Sequence, residues 1–213
     1  MTRVLLATRN AKKLVELRRI VAAAGLNGIE ILGLADVDEF PEAPETGATF
    51  AENALAKARD AAFATGLPAI ADDSGITVDA LNGMPGIFSA RWAGKHGDDG
   101  ANLRLLLAQT EDVPDERRGA AFVCAAALVT PAGAGAAALA PGDGVPGRIV
   151  VHGTWRGTLL RAPRGENGFG YDPIFAPEGG RRSSAELSAQ EKDAASHRGL
   201  ALRALVPHLR AAT

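Results

Sequence analysis

Two acidic residues in tandem, Asp72-Asp73, follow the apolar run Ala69-Ile70-Ala71 and precede Ser74-Gly75. Carboxylates at the end of a buried strand can project into a cleft. Glu45 lies in the Pro-rich approach to an Ala-rich segment and supplies a third acid from a separate part of the chain. Hard oxygen ligands on separate segments suit Mg²⁺, which takes one or two protein carboxylates and completes its shell with water and substrate phosphate. Adjacent strand residues point to opposite faces, so Asp72 and Asp73 cannot both enter one site on a regular strand. One should face the metal and the other should brace the turn. The same four residues also suit an Asx-turn with ordinary solvated acids, and the two readings stand even.

Cationic and donor groups accompany the acids. Thr8-Arg9-Asn10-Ala11-Lys12-Lys13 joins an apolar strand to a helical pattern. A helix start there offers backbone N–H groups and a positive dipole end to an anion. Taken alone, the segment is better described as a capped helix with solvated lysines, and it lacks the glycines of a Walker A loop. Asn53 and Lys57 are four residues apart, on one helical face, which alone reads as a polar outer surface. In Asn167-Gly168-Phe169-Gly170-Tyr171-Asp172-Pro173, glycines let backbone approach a ligand closely. Phe169 or Tyr171 can stack on a planar ring and Asp172 can accept hydrogen bonds. A tight turn that buries Phe169 explains the segment equally well. Lys192 and Ser196-His197-Arg198-Gly199 can grip a phosphate or a carbonyl oxygen, or form the basic outer face of a terminal helix. No Gly-x-Ser-x-Gly elbow occurs, and the histidines have no metal-ligand spacing. Together the groups describe a Mg²⁺-dependent enzyme acting on a nucleotide.

The elements that must position these groups are readable in outline. Arg3 to Ala7 is a short strand, and Leu14, Leu17, Ile20, Val21 and Ala24 recur at helical spacing before Gly25. Thr49-Phe50-Ala51-Glu52 is a capping box that opens a helix ending at Gly66, and Ala69 to Ala71 is a short strand ending at Asp72-Asp73-Ser74-Gly75. Asn102 to Gln109 is a helix; Gly119 to Thr130 and Arg148 to Trp155 are strands that can pair. Ser188-Ala189-Gln190-Glu191 caps a final helical region reaching Leu209. Strands and helices mix without strict alternation, which fits an α/β fold with a mixed sheet. The Ala/Gly/Pro stretch at about 131–147 is expected to be a flexible loop within a single domain spanning 1–213.

Composition narrows the class. The chain has 213 residues, 23 Lys plus Arg against 25 Asp plus Glu, and a net charge of −2, which argues against a stable nucleic-acid complex through a basic field. Aromatics are only 5%, too few for a base-stacking platform. The lone Cys124 excludes an internal disulfide and is expected to be a buried, inert thiol suited to a reducing cytoplasm. The uncharged run Gly119 to Gly142 is broken by Pro131, Gly133, Gly135 and Pro141, so it reads as strand and loop rather than a membrane span.

The stretches LLATRNAKKLVEL, ETGATFAENALAKA, LPAIADDSGITVDALNGMPGIFSARWAG, GENGFGYDPIF and SAELSAQEKDAASHRGLAL occur in that order. In this the sequence resembles the inosine/xanthosine triphosphate pyrophosphatase family over almost its whole length. The resemblance implies Mg²⁺-dependent hydrolysis of ITP, dITP and XTP to the monophosphate and pyrophosphate. It also implies a two-lobed α/β fold around a long, twisted mixed sheet flanked by helices, with the active site in the cleft, and a homodimer. The family's phosphate-binding turn falls on Thr8, Arg9, Asn10, Ala11, Lys12 and Lys13, and its metal acid on Glu45. Its helix lysine falls on Lys57 and its catalytic, metal-binding acid on Asp73, with Ser74 beside the substrate. Its purine pocket falls on Phe169, Gly170, Tyr171, Asp172, Lys192, His197 and Arg198. Arg9 and Asn167 stand where many members have Gly.

Two expectations follow for the purine. Arg198, Lys192 or the backbone after Phe169 should donate to its C6 carbonyl. Lys192 and His197, five residues apart, would lie about 140° apart on a continuous helix. If both reach one ligand, the helix must break near Ser196, with Ser196 capping the helix that follows. A pyrophosphatase for other altered nucleotides, such as a modified pyrimidine triphosphate, and a non-enzymatic nucleotide- or RNA-binding protein are the rival functions.

Overall fold

Val4, Leu5 and Leu6 are buried in the middle strand of a parallel trio. This strand, β1 (Thr2–Leu6), pairs with β2 (Ile29–Leu32), Val4 opposite Ile31, and with β3 (Ala69–Val78), Leu6 opposite Ile70. The remaining strands are β4 (Gly119–Val129), β5 (Arg148–Leu159) and β6 (Phe175–Pro177), in the order β2-β1-β3-β4-β5-β6. Strands β5 and β6 are antiparallel, so the six-stranded sheet is mixed and the fold is α/β, as expected. The computed structural model describes residues 1–41, 44–131 and 147–211. Most of the expected Ala/Gly/Pro loop, residues 132–146, lies outside them. Among the described residues no helix is long and apolar enough to cross a membrane.

The chain forms two compact units: Met1–Asp73 with Cys124–Gly153 and Arg198–Thr213, and Ser74–Val123 with Thr154–His197. In the first, strand alternation sorts the core onto two faces. Val4, Leu6, Ile70, Ala126 and Leu128 pack with Leu17, Ile20 and Val21 of helix α1 (Ala11–Ala23) and with Leu202, Leu205 and Leu209 of α5 (His197–Ala211). Leu5, Ala69, Ala71, Ala125 and Ala127 pack with Ala54, Ala58, Ala61 and Ala62 of α2 (Phe50–Thr65). Alanine on both sides of that contact lets helix and sheet approach closely. Thr49 Oγ1 caps α2 by accepting from the Glu52 amide at 3.1 Å, and Gly66 ends it at φ 68°. Glu52 returns to the amide of Ala48 rather than Thr49, so the capping box is displaced by one residue.

In the second unit, Ile76 and Val78 of β3, Phe122 of β4, Trp155 and Leu159 of β5 and Phe175 of β6 form the core with Leu103 and Leu106 of α3 (Asp99–Gln109). The unit ends in α4 (Ala189–Ala195), capped as expected by Ser188, whose Oγ accepts from the Glu191 amide while Glu191 accepts from Ser188.

Strand β3 does not end at Asp72-Asp73-Ser74-Gly75 as its turn-prone residues suggest; it runs on to Val78. The reason lies at Gly75. Ser89 packs onto its α-carbon, where Ser89 Oγ accepts from the Ile76 amide at 2.9 Å and donates to the Gly86 carbonyl at 2.6 Å. Burial of Ile76 and Val78 then favours extended backbone over the local turn. A Cβ at Gly75 would stand 2.6 Å from the Gly86 carbonyl oxygen and closer still to Ser89 Oγ. Gly75→Ala is therefore expected to lower stability by about 1–3 kcal/mol, the range for overpacking, read as a lower urea midpoint. An unchanged midpoint would contradict this account of why β3 continues.

Candidate active site

The alternation of β3 puts Asp72 and Asp73 into separate networks. Asp72 continues the Ile70 face. It is buried, and its Oδ2 accepts from Lys13 Nζ at 2.7 Å and Arg198 Nε at 3.3 Å. Arg198, 7% exposed, also lies 3.7 Å from Glu16. Burial opposes ionisation of Asp72, but Lys13 and Arg198 outweigh it and hold the carboxyl well below the usual range. Two cations thus face two carboxylates. Cys124 Sγ is 4.0 Å from Asp72, and burial first, then the Asp72 charge, pushes its thiol far up; it is the inert thiol expected. Asp72 therefore has no turn to brace, since β3 continues through it; it anchors Lys13 and Arg198 instead.

Asp73 continues the Ala71 face toward α2. Asn53 Nδ2 donates to its Oδ2 at 3.0 Å and Lys57 Nζ to its Oδ1 at 3.3 Å. Lys57 also closes a tight ion pair with Glu45. Asn53 is only 2% exposed, so the shared face of Asn53 and Lys57 is not an outer surface. Its Oδ1 accepts from the Gly47 amide at 2.8 Å, so one amide side chain fixes both the Glu45 loop and Asp73. Sequence reasoning missed that role; the signal was the i, i+4 pairing with Lys57. Burial raises the Asp73 pKa against the pull of Lys57 and the Asn53 hydrogen bond, and Glu45 repels its charge. Lys57 thus bridges the two carboxylates of Glu45 and Asp73. Among the described residues no group of three or more His, Cys, Asp or Glu could hold a metal. Glu45 and Asp73, both paired with Lys57, are hard carboxylate donors of the kind that suits Mg²⁺.

At the start of α1 three amides are engaged within the turn. Asn10 N donates to Thr8 Oγ1, Lys12 N to Asn10 Oδ1 at 2.9 Å and Lys13 N to the Asn10 carbonyl at 3.0 Å. The turn thus uses Asn10 N, Lys12 N and Lys13 N for its own closure. Arg9, Ala11 and Lys12 are exposed around it.

The second unit holds the other group. Asp172 is buried; its Oδ2 accepts from the Phe169 amide at 2.9 Å and Lys192 Nζ at 2.7 Å, and its Oδ1 from Ser184 Oγ at 2.7 Å. Gly168, at φ 84°, must be Gly: a Cβ there would overlap the Asp172 carboxylate. Tyr171 is buried in the core, its hydroxyl donating to the Ser89 carbonyl at 2.9 Å, so it is not the aromatic available for stacking. Phe169 is 46% exposed, so the turn does not bury it. Gly170 N donates to Asp99 Oδ2, so the backbone donor considered for a purine carbonyl is committed elsewhere. The expected helix break is present: α4 stops at Ala195, and Ser196 is extended (φ −66°, ψ 153°) before α5 begins at His197. The His197 ring stacks on Phe122, centroids 4.9 Å apart and 14° from parallel.

Comparison with known proteins places these motifs in a lineage. The Ham1 family model matches residues 4–208. This chain belongs to the Ham1 family. A dITP/XTP pyrophosphatase from Nocardia farcinica is 63% identical over 211 residues, covering 99% of this chain and 96% of the relative. The crystal structure of a nucleoside-triphosphatase, or dITP/XTP pyrophosphatase, from Mycobacterium abscessus shares 56% identity at a TM-score of 0.77, covering 98% of this chain and 100% of that one. A HAM1 protein from Coxiella burnetii shares 42% identity at a TM-score of 0.85, covering 99% of each chain. In this Ham1 chain the residues singled out from sequence fall into two sets. Thr8 to Lys13, Glu45, Lys57, Asp73 and Arg198 belong to the first unit, and Ser74, Phe169 to Asp172, Lys192 and His197 to the second.

Proposed function

We propose that this chain hydrolyses the non-standard purine nucleoside triphosphates ITP, dITP and XTP to the monophosphate and pyrophosphate, with Mg²⁺ as cofactor. Relatives named dITP/XTP pyrophosphatase, 57–63% identical over nearly the full length, support the substrate class. The observation that carries the chemistry is the Glu45–Lys57–Asp73 trio, two hard carboxylates drawn from separate segments and bridged by one ammonium. Glu45 and Asp73 would hold the metal, which when bound neutralises triphosphate oxygens.

In the proposed reaction Asp73, oriented by Asn53, takes a proton from the attacking water. The water oxygen bonds to the α-phosphorus, the bond from that phosphorus to the bridging oxygen breaks, and pyrophosphate leaves with that oxygen. Lys57, with Lys13 and the Thr8–Lys13 turn, binds phosphate oxygens, exchanging part of its present pairing for the substrate. Phe169, Lys192, His197 and Arg198 are assigned to the purine, with Ser74 beside the substrate. A homodimer in the cytoplasm is the proposed working form.

Pyrophosphate release tests the reading. With Mg²⁺, ITP, dITP and XTP should be hydrolysed well ahead of ATP, dUTP and dTTP; EDTA should abolish turnover and added Mg²⁺ restore it. Preference for a pyrimidine triphosphate would move the substrate class. Binding without turnover would leave a nucleotide-binding protein. Full activity in EDTA would defeat the metal assignment.

A further inference from the structure

The Gly168–Asp172 loop has little intrinsic stiffness around its exposed aromatic. Gly168 and Gly170, on either side of Phe169, both lie in the left-handed region, at φ 84° and 62°. Yet both amides that frame the Phe169 side chain are engaged by carboxylates. The Phe169 N–H donates to Asp172 Oδ2 at 2.9 Å, and the Gly170 N–H to Asp99 Oδ2 at 2.9 Å. Asp172 is local, but Asp99 comes from the first turn of α3, 71 residues earlier. That helix does not need Asp99 as its cap, because Asp98 Oδ1 accepts from the Ala101 amide at 3.0 Å. The next residue, Tyr171, is tied to Ser89 through its hydroxyl. Phe169 therefore rides on backbone held from three places, while 46% of its own surface remains exposed.

We propose that Asp99 is a positioning residue for base recognition: its carboxylate fixes the Gly170 peptide and so presents the Phe169 ring in one orientation for stacking on the purine. The inference rests on the pyrophosphatase reading. Stacking addresses a π-face that every purine has and the reaction does not change. Losing it weakens substrate and transition state alike, which raises KM and leaves kcat and the ITP-to-ATP ratio in place. An exposed backbone-to-side-chain hydrogen bond contributes about 1 kcal/mol, equivalent to about fivefold in binding.

Asp99→Ala is expected to raise KM for ITP about fivefold with kcat within about twofold of wild type, and to speed hydrogen exchange in the 168–172 segment of the nucleotide-free protein. Asp99→Asn keeps an acceptor oxygen and should stay near wild type in both measurements. Arg161→Ala serves as the control for general loosening; it removes an exposed pair with Asp115 elsewhere in the second unit and should leave KM unchanged. An active wild type whose KM and loop exchange are unmoved by Asp99→Ala overturns the inference alone. So does faster exchange with unchanged KM, or an Asp99→Asn variant as impaired as Asp99→Ala. A wild type that releases no pyrophosphate from any purine triphosphate overturns the functional reading, and the inference with it.

Discussion

Asp73→Asn is expected to lower kcat for ITP by ~10²-fold or more while the protein stays folded, since a positioned general base contributes about 10²- to 10⁴-fold. The amide matches the carboxylate in shape, and its oxygen can still accept from Asn53 or Lys57. It cannot take a proton from water, and it is a poorer ligand for a hard cation. Stability should change little, because Lys57 keeps its ion pair with Glu45 and no buried cation is stranded. Asp72→Asn is the informative contrast on the opposite face of β3. It takes the shared carboxylate charge from buried Arg198 and half-buried Lys13, and breaking a buried pair in this way costs about 3–5 kcal/mol. The pair of variants separates the roles: one should lose turnover at a normal urea midpoint, the other should lose the midpoint. Unimpaired Asp73→Asn, with turnover lost instead in folded Asp72→Asn, would show the catalytic acid to be the other one.

That contrast was legible in the sequence because the period of a strand is two. Adjacent acids on a regular strand had to diverge, and they do. What local rules could not give was the length of the strand. Asp72-Asp73-Ser74-Gly75 has turn chemistry at every position, and only the packing of Ser89, met later in the chain, explains why Gly75 is extended. The helices were easier. Thr49, Gly66 and Ser188 carry their signals within a few residues, and the break at Ser196 followed from requiring Lys192 and His197 to reach one ligand. Strands β2 and β6 went unread because four and three residues give periodicity almost nothing to repeat. At the candidate site, residue types survived better than their partners. Asn53 looked like surface until Gly47 and Asp73 were found on its two ends, and Tyr171 and Phe169 looked interchangeable until one was buried. Both distinctions depend on contacts distant in sequence.

ITP and XTP should be preferred over ATP by ~10⁴-fold in kcat/KM, the order of discrimination reached when a mismatched base leaves buried polar groups unpaired. ITP and XTP carry a carbonyl at C6, where ATP carries an amino group. A fixed donor pairs with the carbonyl and meets only another donor in ATP. Gly170 N–H cannot be that donor while Asp99 holds it, which leaves Lys192 and Arg198 as the side-chain candidates. Lys192 has three N–H donors and is held at 2.7 Å by Asp172. Arg198 has five and lies against Asp72. Arg198→Ala should therefore lose more activity on ITP than on ATP and narrow the ratio between them. The variant will also be destabilised, because Arg198 is one of the two cations that neutralise Asp72. A ratio of two kcat/KM values measured on one preparation cancels the folded fraction, so the selectivity can still be read. If both substrates lose equally, Arg198 acts on phosphate or only through Asp72. The purine carbonyl is then read elsewhere, and Lys192→Ala is the variant in which the ratio should collapse.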